Sequence, residues 1–442
     1  MATRVLALLA LAVGACSGSG SDDVQSFDGF AFDVCATNCA DAHGAMDGGL
    51  DDGGLDAGAD AADAAMIDGA PADVVRADTG NRCTATGAAV PIFTDTRRVP
   101  RPVFLSNDGS SFGVGASQRV MGIDNAYFSR VATDGTLAGQ WNVSEQAGAA
   151  VEGGALAADG AGGHVMAYSS NNGGSLDVYL RGVGPDGSPT PDLAQVTADA
   201  DRSIEAQITA APTGFTVVWR SDDIAAGRQV LFAAAIATPG LVVGAPAPIT
   251  PPEVLVTTFQ LTSDGSQTIV AYTGATSSAV TDVYYVSLGS TGAALPNALT
   301  MGARAGSAGA IVRGTTLSVV WTQPGPETDL HAVQVDLVSG LANAAFDIPD
   351  GGRGLTDVTL APDGPTNVVA AYRTTSSGTS SVSMIRLDGS LTEREGASIV
   401  ASATPEGGPV HAASLGTNSF AIGWSNLSPT GTEGQVQLMA CP

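Results

Sequence analysis

The residues of this sequence that could do chemistry are a few charged side chains at repeated positions. Two are glutamates, Glu152 and Glu205, and a third is an arginine, Arg101. Paired carboxylates can act as acid and base on a glycosidic bond, and together with a guanidinium they could bind a sugar or a cation. The alternative interpretation is that charged side chains at such positions are simply solvated.

Polar residues at corresponding positions elsewhere in the chain complete a candidate ligand-binding set. Each of them stands a few residues ahead of a glycine-containing turn. The set consists of Arg101, Glu152, Glu205, Thr257, Thr356 and His411. We assign no catalytic residue, because the sequence lacks HExxH, GxSxG, CxxC and phosphate-loop motifs.

The histidines do not predict a metal site. The four histidines are His43, His164, His331 and His411. They are spread along the chain, and such a histidine is more often a packing or surface residue than a ligand. We therefore predict neither a metal ion nor a cofactor.

The charge of the chain limits its partners. The formal net charge is −26, and all 18 basic side chains are arginines. Residues 81–442 alone carry a net charge of −14. A negative field of this size disfavours nucleic acids and anionic membrane surfaces as partners. We expect a monomer that does not bind nucleic acid.

The first residues have the features of an export signal. Residues 1–15 contain a basic residue, Arg4, and an apolar stretch that is too short to span a bilayer. Small residues then precede Cys16, and the ending Val13-Gly14-Ala15-Cys16 resembles a bacterial lipobox. This resemblance implies cleavage before Cys16 and attachment of lipid to its thiol. An ordinary secretory signal is the alternative.

The predicted lipid anchor also predicts a location. The lipid would tie the protein to a membrane of the cell envelope. A serine follows Cys16, where an aspartate would oppose sorting to the outer membrane in many lipoproteins. We therefore expect the outer membrane, on its periplasmic face or at the cell surface.

Residues 16–80 differ in composition from the rest of the chain. Residues 17–80 contain 14 aspartates, no glutamate and one arginine, for a local charge of −13. Such a segment repels itself and has almost no apolar surface to bury, so it is predicted to be a disordered tether. The aspartates do not follow the register of a calcium-binding loop, which favours a solvated tether over a cation site.

The five cysteines fit an oxidising compartment. If Cys16 carries the lipid, two pairs remain, Cys35 with Cys39 and Cys83 with Cys441. The close spacing of Cys35 and Cys39 permits a small local disulfide, and free thiols are the alternative. A metal site there is weakly supported, since no second ligand pair lies nearby.

The remainder of the chain, residues 81–442, contains an internal repeat. Short apolar segments such as "FTVVW" and "LSVVW" each end in an aromatic residue, and successive copies are 49 to 53 residues apart. The aromatic residues are Tyr168, Trp219, Tyr272, Trp321, Tyr372 and Trp424, and a degenerate first copy ends at Ala116. Seven copies at one period indicate a repeat architecture.

Each repeat also carries regularly placed turns. A glycine precedes every aromatic-ending segment, often as Asp-Gly, which is the strongest short signal for a hairpin. These glycines are Gly109, Gly160, Gly214, Gly265, Gly314, Gly364 and Gly416. A third strand, a second turn and a more variable fourth strand follow. Each repeat is therefore predicted to be a four-stranded antiparallel meander.

Four-stranded units at this spacing resemble the blades of a β-propeller. A parallel solenoid is the competing fold, but its coils are shorter and do not need two hairpin turns per repeat. We predict an all-β, seven-bladed propeller over residues 81–442. The expected blade bounds are about 98–146, 147–198, 199–250, 251–301, 302–350, 351–402, and 403–441 with 84–96.

The segment "GAAVPIFT" is predicted to close the ring. The last repeat has three strands, and this segment stands upstream of the first repeat as an unpaired fourth strand. Cys441 and Cys83 fall where the turn between third and fourth strands would be, so a disulfide can replace the missing link. Closing such a loop should stabilise the fold by about 4 to 5 kcal/mol.

Two functions of different class remain open. The first is an envelope-anchored binding or scaffold module for an extracytoplasmic protein or glycan. The alternative is an extracellular polysaccharide hydrolase or lyase that uses Glu152 and Glu205 at the mouth of the propeller channel. The propeller fold does not decide between them, since propellers host both functions. The missing motifs and the few aromatic residues favour the first.

Overall fold

The computed structural model describes residues 82–442, apart from residues 98, 100, 145–150, 173, 224–226, 277–279, 290–291, 294–295, 324–329, 349–353, 377–378 and 405–406. The predictions of a lipid on Cys16, a Cys35–Cys39 pair and a disordered tether lie outside the described residues. None of the described segments forms a helix long and apolar enough to span a bilayer.

The described chain consists of β-strands in seven antiparallel sheets, here called blades. Two strands come first and belong to the last blade: β1 (Thr84–Ala85) and β2 (Val90–Asp95). Blade 1 contains β3 (Phe104–Asn107), β4 (Ser111–Val120), β5 (Ile123–Ala132) and β6 (Leu137–Asn142). Blade 2 contains β7 (Val151–Ala158), β8 (His164–Ser170), β9 (Asp177–Val183) and β10 (Pro189–Gln195). Blade 3 contains β11 (Arg202–Ala211), β12 (Gly214–Asp223), β13 (Arg228–Ala237), β14 (Val242–Val243) and β15 (Ala247–Pro248).

The other four blades repeat this order. Blade 4 contains β16 (Leu255–Ser263), β17 (Thr268–Ala275), β18 (Thr281–Gly289), β19 (Gly292–Ala293) and β20 (Asn297–Ala298). Blade 5 contains β21 (Ala308–Arg313), β22 (Thr316–Thr322), β23 (Leu330–Asp336), β24 (Leu341–Ala342) and β25 (Phe346–Ile348). Blade 6 contains β26 (Leu355–Asp363), β27 (Asn367–Ser376), β28 (Thr379–Leu387) and β29 (Glu393–Thr404). Blade 7 contains β30 (His411–Ser414), β31 (Ser419–Ser428) and β32 (Gly431–Ala440), with β1 and β2.

The blades form a closed ring. The innermost strands contact one another in the cyclic order β3, β7, β11, β16, β21, β26, β30 and back to β3. Because every blade begins with its innermost strand, all seven innermost strands run in the same direction. The predicted all-β, seven-bladed propeller of four-stranded antiparallel blades is confirmed.

The hydrophobic core is divided among the seven interfaces between neighbouring blades. Each of the seven buried clusters joins apolar side chains of two adjacent blades. The second strands are apolar on both faces because each lies between two other blades, as β12 illustrates with Phe215, Val217 and Trp219 on one interface and Val218 on the other. The continuous apolar character of these segments follows from this two-sided burial.

The repeated aromatic residue has a constant position in these interfaces. Each one is at most 2% exposed and packs between its own blade and the preceding blade. Four of them also stack on the residue directly opposite in the third strand, as Trp219 does on Phe232 and Tyr272 on Tyr284. Such cross-strand pairs fix the register of the two strands.

The N-terminal strands close the ring, as predicted. Thr84 pairs with Ala440, and Val90–Asp95 pairs with the first part of β32. The disulfide between Cys83 and Cys441 is present and joins residues 358 positions apart. Ile92 and Phe93 fill the interface between blades 7 and 1, where the repeat has Ala116 in place of an aromatic residue.

The fourth strands of blades 3, 4 and 5 differ from the prediction, because each is split into two short pieces. In blade 3 the segment contains Pro246 and Pro248, which have no N–H to donate to the ladder. In blade 5 the side chain of Asn343 accepts the hydrogen bond of the Gln334 N–H, at 2.7 Å, and so interrupts the backbone pairing. These strands form the outer rim, where a break costs little packing.

A buried histidine predicts a loss of stability in acid. His164 is 1% exposed beside Phe128, and neither ring nitrogen has a hydrogen-bond partner among the described residues. Burial lowers the pKa of His164 to about 4. The unfolded chain, with a pKa near 6.5, therefore binds more protons below that pH, so stability falls as the pH falls from about 6.5 to about 4.

We expect this single group to remove about 3 kcal/mol of stability between pH 7 and pH 4. The substitution His164→Leu should lessen the pH dependence of the unfolding free energy by that amount. Denaturant unfolding of both proteins at pH 7 and at pH 4 measures it. An unchanged pH dependence in the variant would show that His164 is not held neutral.

Candidate functional site

The candidate residues are placed by the direction of the innermost strands. The end of the ring where these strands begin is here called the mouth face, and the end where they reach the Asp-Gly hairpins is called the turn face. Arg101 stands between β2 and β3, Glu152 is the second residue of β7, and His411 is the first residue of β30. Glu205, Thr257 and Thr356 lie within the first four residues of β11, β16 and β26. All six therefore lie toward the mouth face.

The structure brings the two glutamates into one group of charges. The blade 2–3 charge cluster comprises Glu152, Arg202, Glu205, Arg220 and Asp222. A guanidinium nitrogen of Arg202 is 3.4 Å from Glu152 and another is 4.0 Å from Asp222. Arg220 is 2.9 Å from Glu205 and 3.1 Å from Asp222. Alternating charges thus link two neighbouring blades at the mouth face.

Glu205 has an unusual backbone. Its φ is +54°, a left-handed conformation that L-residues other than glycine seldom adopt. The residue lies in a bulge where the pairing of β11 with β12 skips between Ile204 and Gln207. The corresponding bulge of β7 contains Gly153 and Gly154, which also have positive φ. Glutamate thus occupies a position where glycine would be less strained.

The environment of Glu205 changes its acidity. Its side chain is 49% exposed, whereas that of its partner Arg220 is 7% exposed. Burial raises the pKa of Glu205, the charge of Arg220 opposes this, and the charges of Asp222 and Glu152 add to the increase. A carboxyl with a raised pKa, close to a second carboxylate, is one requirement for acid–base work.

The same bulge recurs in other innermost strands without making a second charge cluster there. Thr257 lies in the bulge of β16, where its hydroxyl is 2.6 Å from that of Thr273. Thr356 lies in the bulge of β26 and donates to Asp357 at 3.3 Å. Burial raises the pKa of Asp357, and the charge of Arg373 opposes it. The two predicted threonines therefore satisfy local partners.

His411 and Arg101 form no ion pair with the described residues of the blade 2–3 charge cluster. The ring of His411 packs against Phe104 with centroids 4.5 Å apart, and burial lowers its pKa to about 4. A neutral histidine packed on an aromatic ring fits the structural interpretation better than a ligand role. Arg101 is 8% exposed and donates through Nη1 to the Ser117 hydroxyl at 3.3 Å.

A polar residue that was not predicted follows the repeated aromatic position in every blade. The seven are Ser117, Ser169, Arg220, Thr273, Thr322, Arg373 and Ser425. Several of them bind the backbone where an innermost strand begins. Ser425 donates to the Arg101 carbonyl at 2.6 Å, and Thr273 donates to the Gly306 carbonyl at 3.1 Å, each in the next blade. The sequence pattern that could have predicted these contacts is the polar residue after every copy of the aromatic position.

Glutamines join the innermost strands further along the channel wall. Gln207 of blade 3 donates to the Phe259 carbonyl at 2.7 Å and accepts from the Leu261 N–H at 2.9 Å. Gln260 of blade 4 accepts from Ala310 of blade 5 and donates to Thr359 of blade 6. These bonds join the innermost strands of blades 3 to 6 along the channel wall.

The described residues contain no group of three or more His, Cys, Asp or Glu side chains arranged to hold a metal ion. Each carboxylate of the blade 2–3 charge cluster is instead paired with an arginine. The cluster can therefore recognise polar or charged groups by exchanging an internal ion pair for a ligand contact.

Comparison with known proteins adds little about function. No protein-family model matches the chain, and no curated protein matches it. Solved structures resemble it at low identity, among them a protein of unknown function from Dyadobacter fermentans, with 10% identity, a TM-score of 0.45, and coverage of 65% of this chain and 94% of that one. The polysaccharide lyase Uly1 has 9% identity, a TM-score of 0.48, and coverage of 76% and 89%. The β-propeller domain of the Trilobed protease from Pyrococcus furiosus has 8% identity, a TM-score of 0.44, and coverage of 78% and 94%. The assignment of the chain as a seven-bladed β-propeller rests on its own sheets.

Proposed function

We propose that this protein is an envelope-anchored lipoprotein whose propeller binds an extracytoplasmic protein or glycan at the mouth face. The proposal rests on the conformation and the surroundings of Glu205. Its side chain is half exposed, its backbone is strained, and the nearly buried Arg220 holds its carboxylate at 2.9 Å. Strained residues persist where the surrounding structure imposes them, and they cluster at ligand sites.

The disulfide lies where the described chain enters the propeller. Cys83 and Cys441 lie at the end of β32, on the turn face, so the chain enters the propeller there. We place the anchor at the outer membrane.

The proposal predicts that Glu205→Gln weakens binding. Purified full-length protein is tested for retention on envelope fractions, extracellular polysaccharide and a glycan array. Removing the charge that Arg220 holds should reduce retention by roughly tenfold, the effect of losing one charge-assisted hydrogen bond. Glu253→Gln, an exposed glutamate ahead of β16, is the matched control and should bind normally.

Two results would contradict the proposal. One is no specific retention on any of these surfaces and no envelope protein captured by cross-linking. The other is retention that Glu205→Gln and Glu253→Gln reduce equally, since this would place the ligand outside the blade 2–3 charge cluster.

A second candidate function is a polysaccharide hydrolase or lyase. The raised pKa of Glu205 near Glu152 favours it, because a carboxyl with a raised pKa beside a second carboxylate is one requirement for acid–base catalysis. The retained polysaccharide distinguishes the two functions. Release of new reducing ends or unsaturated products, lost in Glu205→Gln, would indicate turnover, and retention without product would indicate a binding module.

A further inference from the structure

We propose that Arg101 is the recognition site for a carboxylate group of the ligand. Arg101 lies on the mouth face at the junction of blades 7 and 1. This inference names the ligand chemistry of the proposed binding face and rests on that function for its biological meaning.

The Arg101 guanidinium is buried without an anionic partner. The residue is 8% exposed, its one side-chain hydrogen bond goes from Nη1 to Ser117, and Nε is buried with no partner among the described residues. A guanidinium has five N–H donors and stays charged in proteins. Most of its donors are therefore unused, and leaving a buried charge unpaired is costly.

Two other buried arginines of the propeller are paired with carboxylates. Arg220, 6% exposed, lies 2.9 Å from Glu205, and Arg386, 2% exposed, lies 2.8 Å from Asp363. A third, Arg373 at 1% exposed, donates to the Ser380 hydroxyl at 2.8 Å and to the Ser425 carbonyl at 2.9 Å.

No described carboxylate lies within 4.0 Å of the Arg101 nitrogens. Burial lowers the pKa of Arg101, and the charge of Arg97 adds to the decrease. The charges of Asp124, Asp95 and Glu152 oppose this decrease without forming an ion pair with Arg101. Among the described residues, Arg101 therefore has no carboxylate partner within ion-pair distance.

The backbone of Arg101 is held in place. The Ser425 hydroxyl donates to the Arg101 carbonyl at 2.6 Å and accepts from the Arg101 N–H at 3.4 Å. The same hydroxyl accepts from the Gly408 N–H at 3.1 Å, and a Cβ on Gly408 would lie 2.6 Å from the Arg101 carbonyl. Three segments meet tightly here, so the guanidinium is pre-organised for a ligand.

The surroundings favour a carboxylate over a more highly charged anion. Residues 81–442 carry a net charge of −14, and the carboxylates Asp124, Asp95 and Glu152 lie near enough to act on the charge of Arg101. A carboxylate adds one negative charge, which the single unpaired guanidinium neutralises, and it matches the planar fork of arginine. A phosphate monoester would add close to two charges and leave an excess in an acidic field.

The test measures the binding of small carboxylates to the full-length protein by calorimetry. The probes are D-glucuronate and N-acetyl-dialanine, with D-glucose and N-acetyl-dialanine amide as their uncharged counterparts and inorganic phosphate as the dianion. We expect at least one carboxylate to bind while its uncharged counterpart does not. Arg101→Gln should weaken that binding by roughly tenfold to a hundredfold. Arg228→Gln, an arginine paired with Asp223 on the same face, is the control that should bind normally.

A stability measurement separates recognition from a structural role. If the role of Arg101 is to bind a ligand, Arg101→Met removes a buried charge that has no ion-pair partner in the ligand-free protein. The substitution should then raise the melting temperature of the ligand-free protein. A purely structural arginine would lower it when replaced.

Four outcomes would overturn the proposal: no carboxylate binds, phosphate alone binds, Arg101→Gln binds as well as the wild type, or Arg101→Met melts at a lower temperature. If Glu205→Gln loses retention on envelope material while Arg101→Gln keeps it, the proposed function stands and this inference fails. Binding of D-glucuronate alone would indicate that the carboxylate belongs to a glycan. Binding of N-acetyl-dialanine alone would indicate that it belongs to a peptide.

Discussion

Replacing both Cys83 and Cys441 with serine is expected to lower the free energy of unfolding by about 4 to 5 kcal/mol. The disulfide holds the first described strand to the last and closes a loop across the whole propeller, with a sequence separation of 358. Without it, the fourth strand of blade 7 is held by non-covalent contacts, among them the β1 and β2 pairings and the packing of Ile92 and Phe93. Because domains are stable by only about 5 to 15 kcal/mol, such a loss is a large fraction of the total.

Denaturant unfolding under non-reducing conditions measures this effect. The matched control replaces Cys35 and Cys39 with serine, a change outside the described residues that should leave the unfolding of the propeller unaltered. A double variant of Cys83 and Cys441 that unfolds within about 1 kcal/mol of the wild type would contradict the chain-entropy argument for this ring.

Replacing Arg386 with methionine is expected to cost about 3 to 5 kcal/mol, because it leaves a buried carboxylate without its partner. Arg386 and Asp363 of blade 6 are 2% and 0% exposed, and their nearest atoms are 2.8 Å apart. The guanidinium also donates to the Asn418 side chain at 2.6 Å, and Asp363 accepts from the Asn418 N–H at 3.1 Å. The pair therefore joins blade 6 to blade 7 on the turn face.

The comparison is made with an exposed ion pair of the same residue types. Arg228 and Asp223 lie 2.7 Å apart, with 50% and 25% of their side chains exposed, so Arg228→Met should cost about 1 kcal/mol or less. The double variant Arg386→Met with Asp363→Leu should recover most of the loss, since both charges are then gone. Equal unfolding free energies for Arg386→Met and Arg228→Met would show that burial of the pair contributes nothing.

The fold could be predicted from the sequence because its physical causes are local and repeated. A hairpin turn depends on the conformations open to Asp-Gly, and a strand buried on both faces must be apolar throughout. Since these constraints recur every 49 to 53 residues, the copies reinforce one another and reveal the blades. The unpaired segment before blade 1 and the three-strand last repeat then identified the closing strand, and Cys83 and Cys441 marked its turn.

The breaks in the fourth strands of blades 3, 4 and 5 could not be predicted from the repeat. Edge strands are constrained on one side only, so their sequences vary and their pairing is easily broken. The prolines of blade 3 were visible in the sequence, but the interruption at Asn343 depends on a side chain that replaces a backbone acceptor. A side-chain hydrogen bond that takes the place of a backbone hydrogen bond leaves no periodic pattern in the sequence.

The candidate site was predicted only in outline. Alignment on the hairpin glycines correctly placed Glu152 and Glu205 at the beginning of innermost strands. It did not reveal that Arg202 pairs with Glu152 across a blade interface, or that Arg220 holds Glu205. Nor did it distinguish the buried Arg101 from an ordinary solvated arginine, because burial depends on the neighbouring blades.

The sequence by itself determined the number of blades, the order of strands and the closure of the ring, since each follows from local propensity and a repeated period. The tertiary structure alone decided which charges meet. Glu152 and Arg202 are 50 residues apart and come together only because consecutive blades pack side by side. The positive φ of Glu205 arises from a bulge whose position is set by pairing with β12. Pairing, burial and pKa depend on distances between blades, which no single repeat encodes.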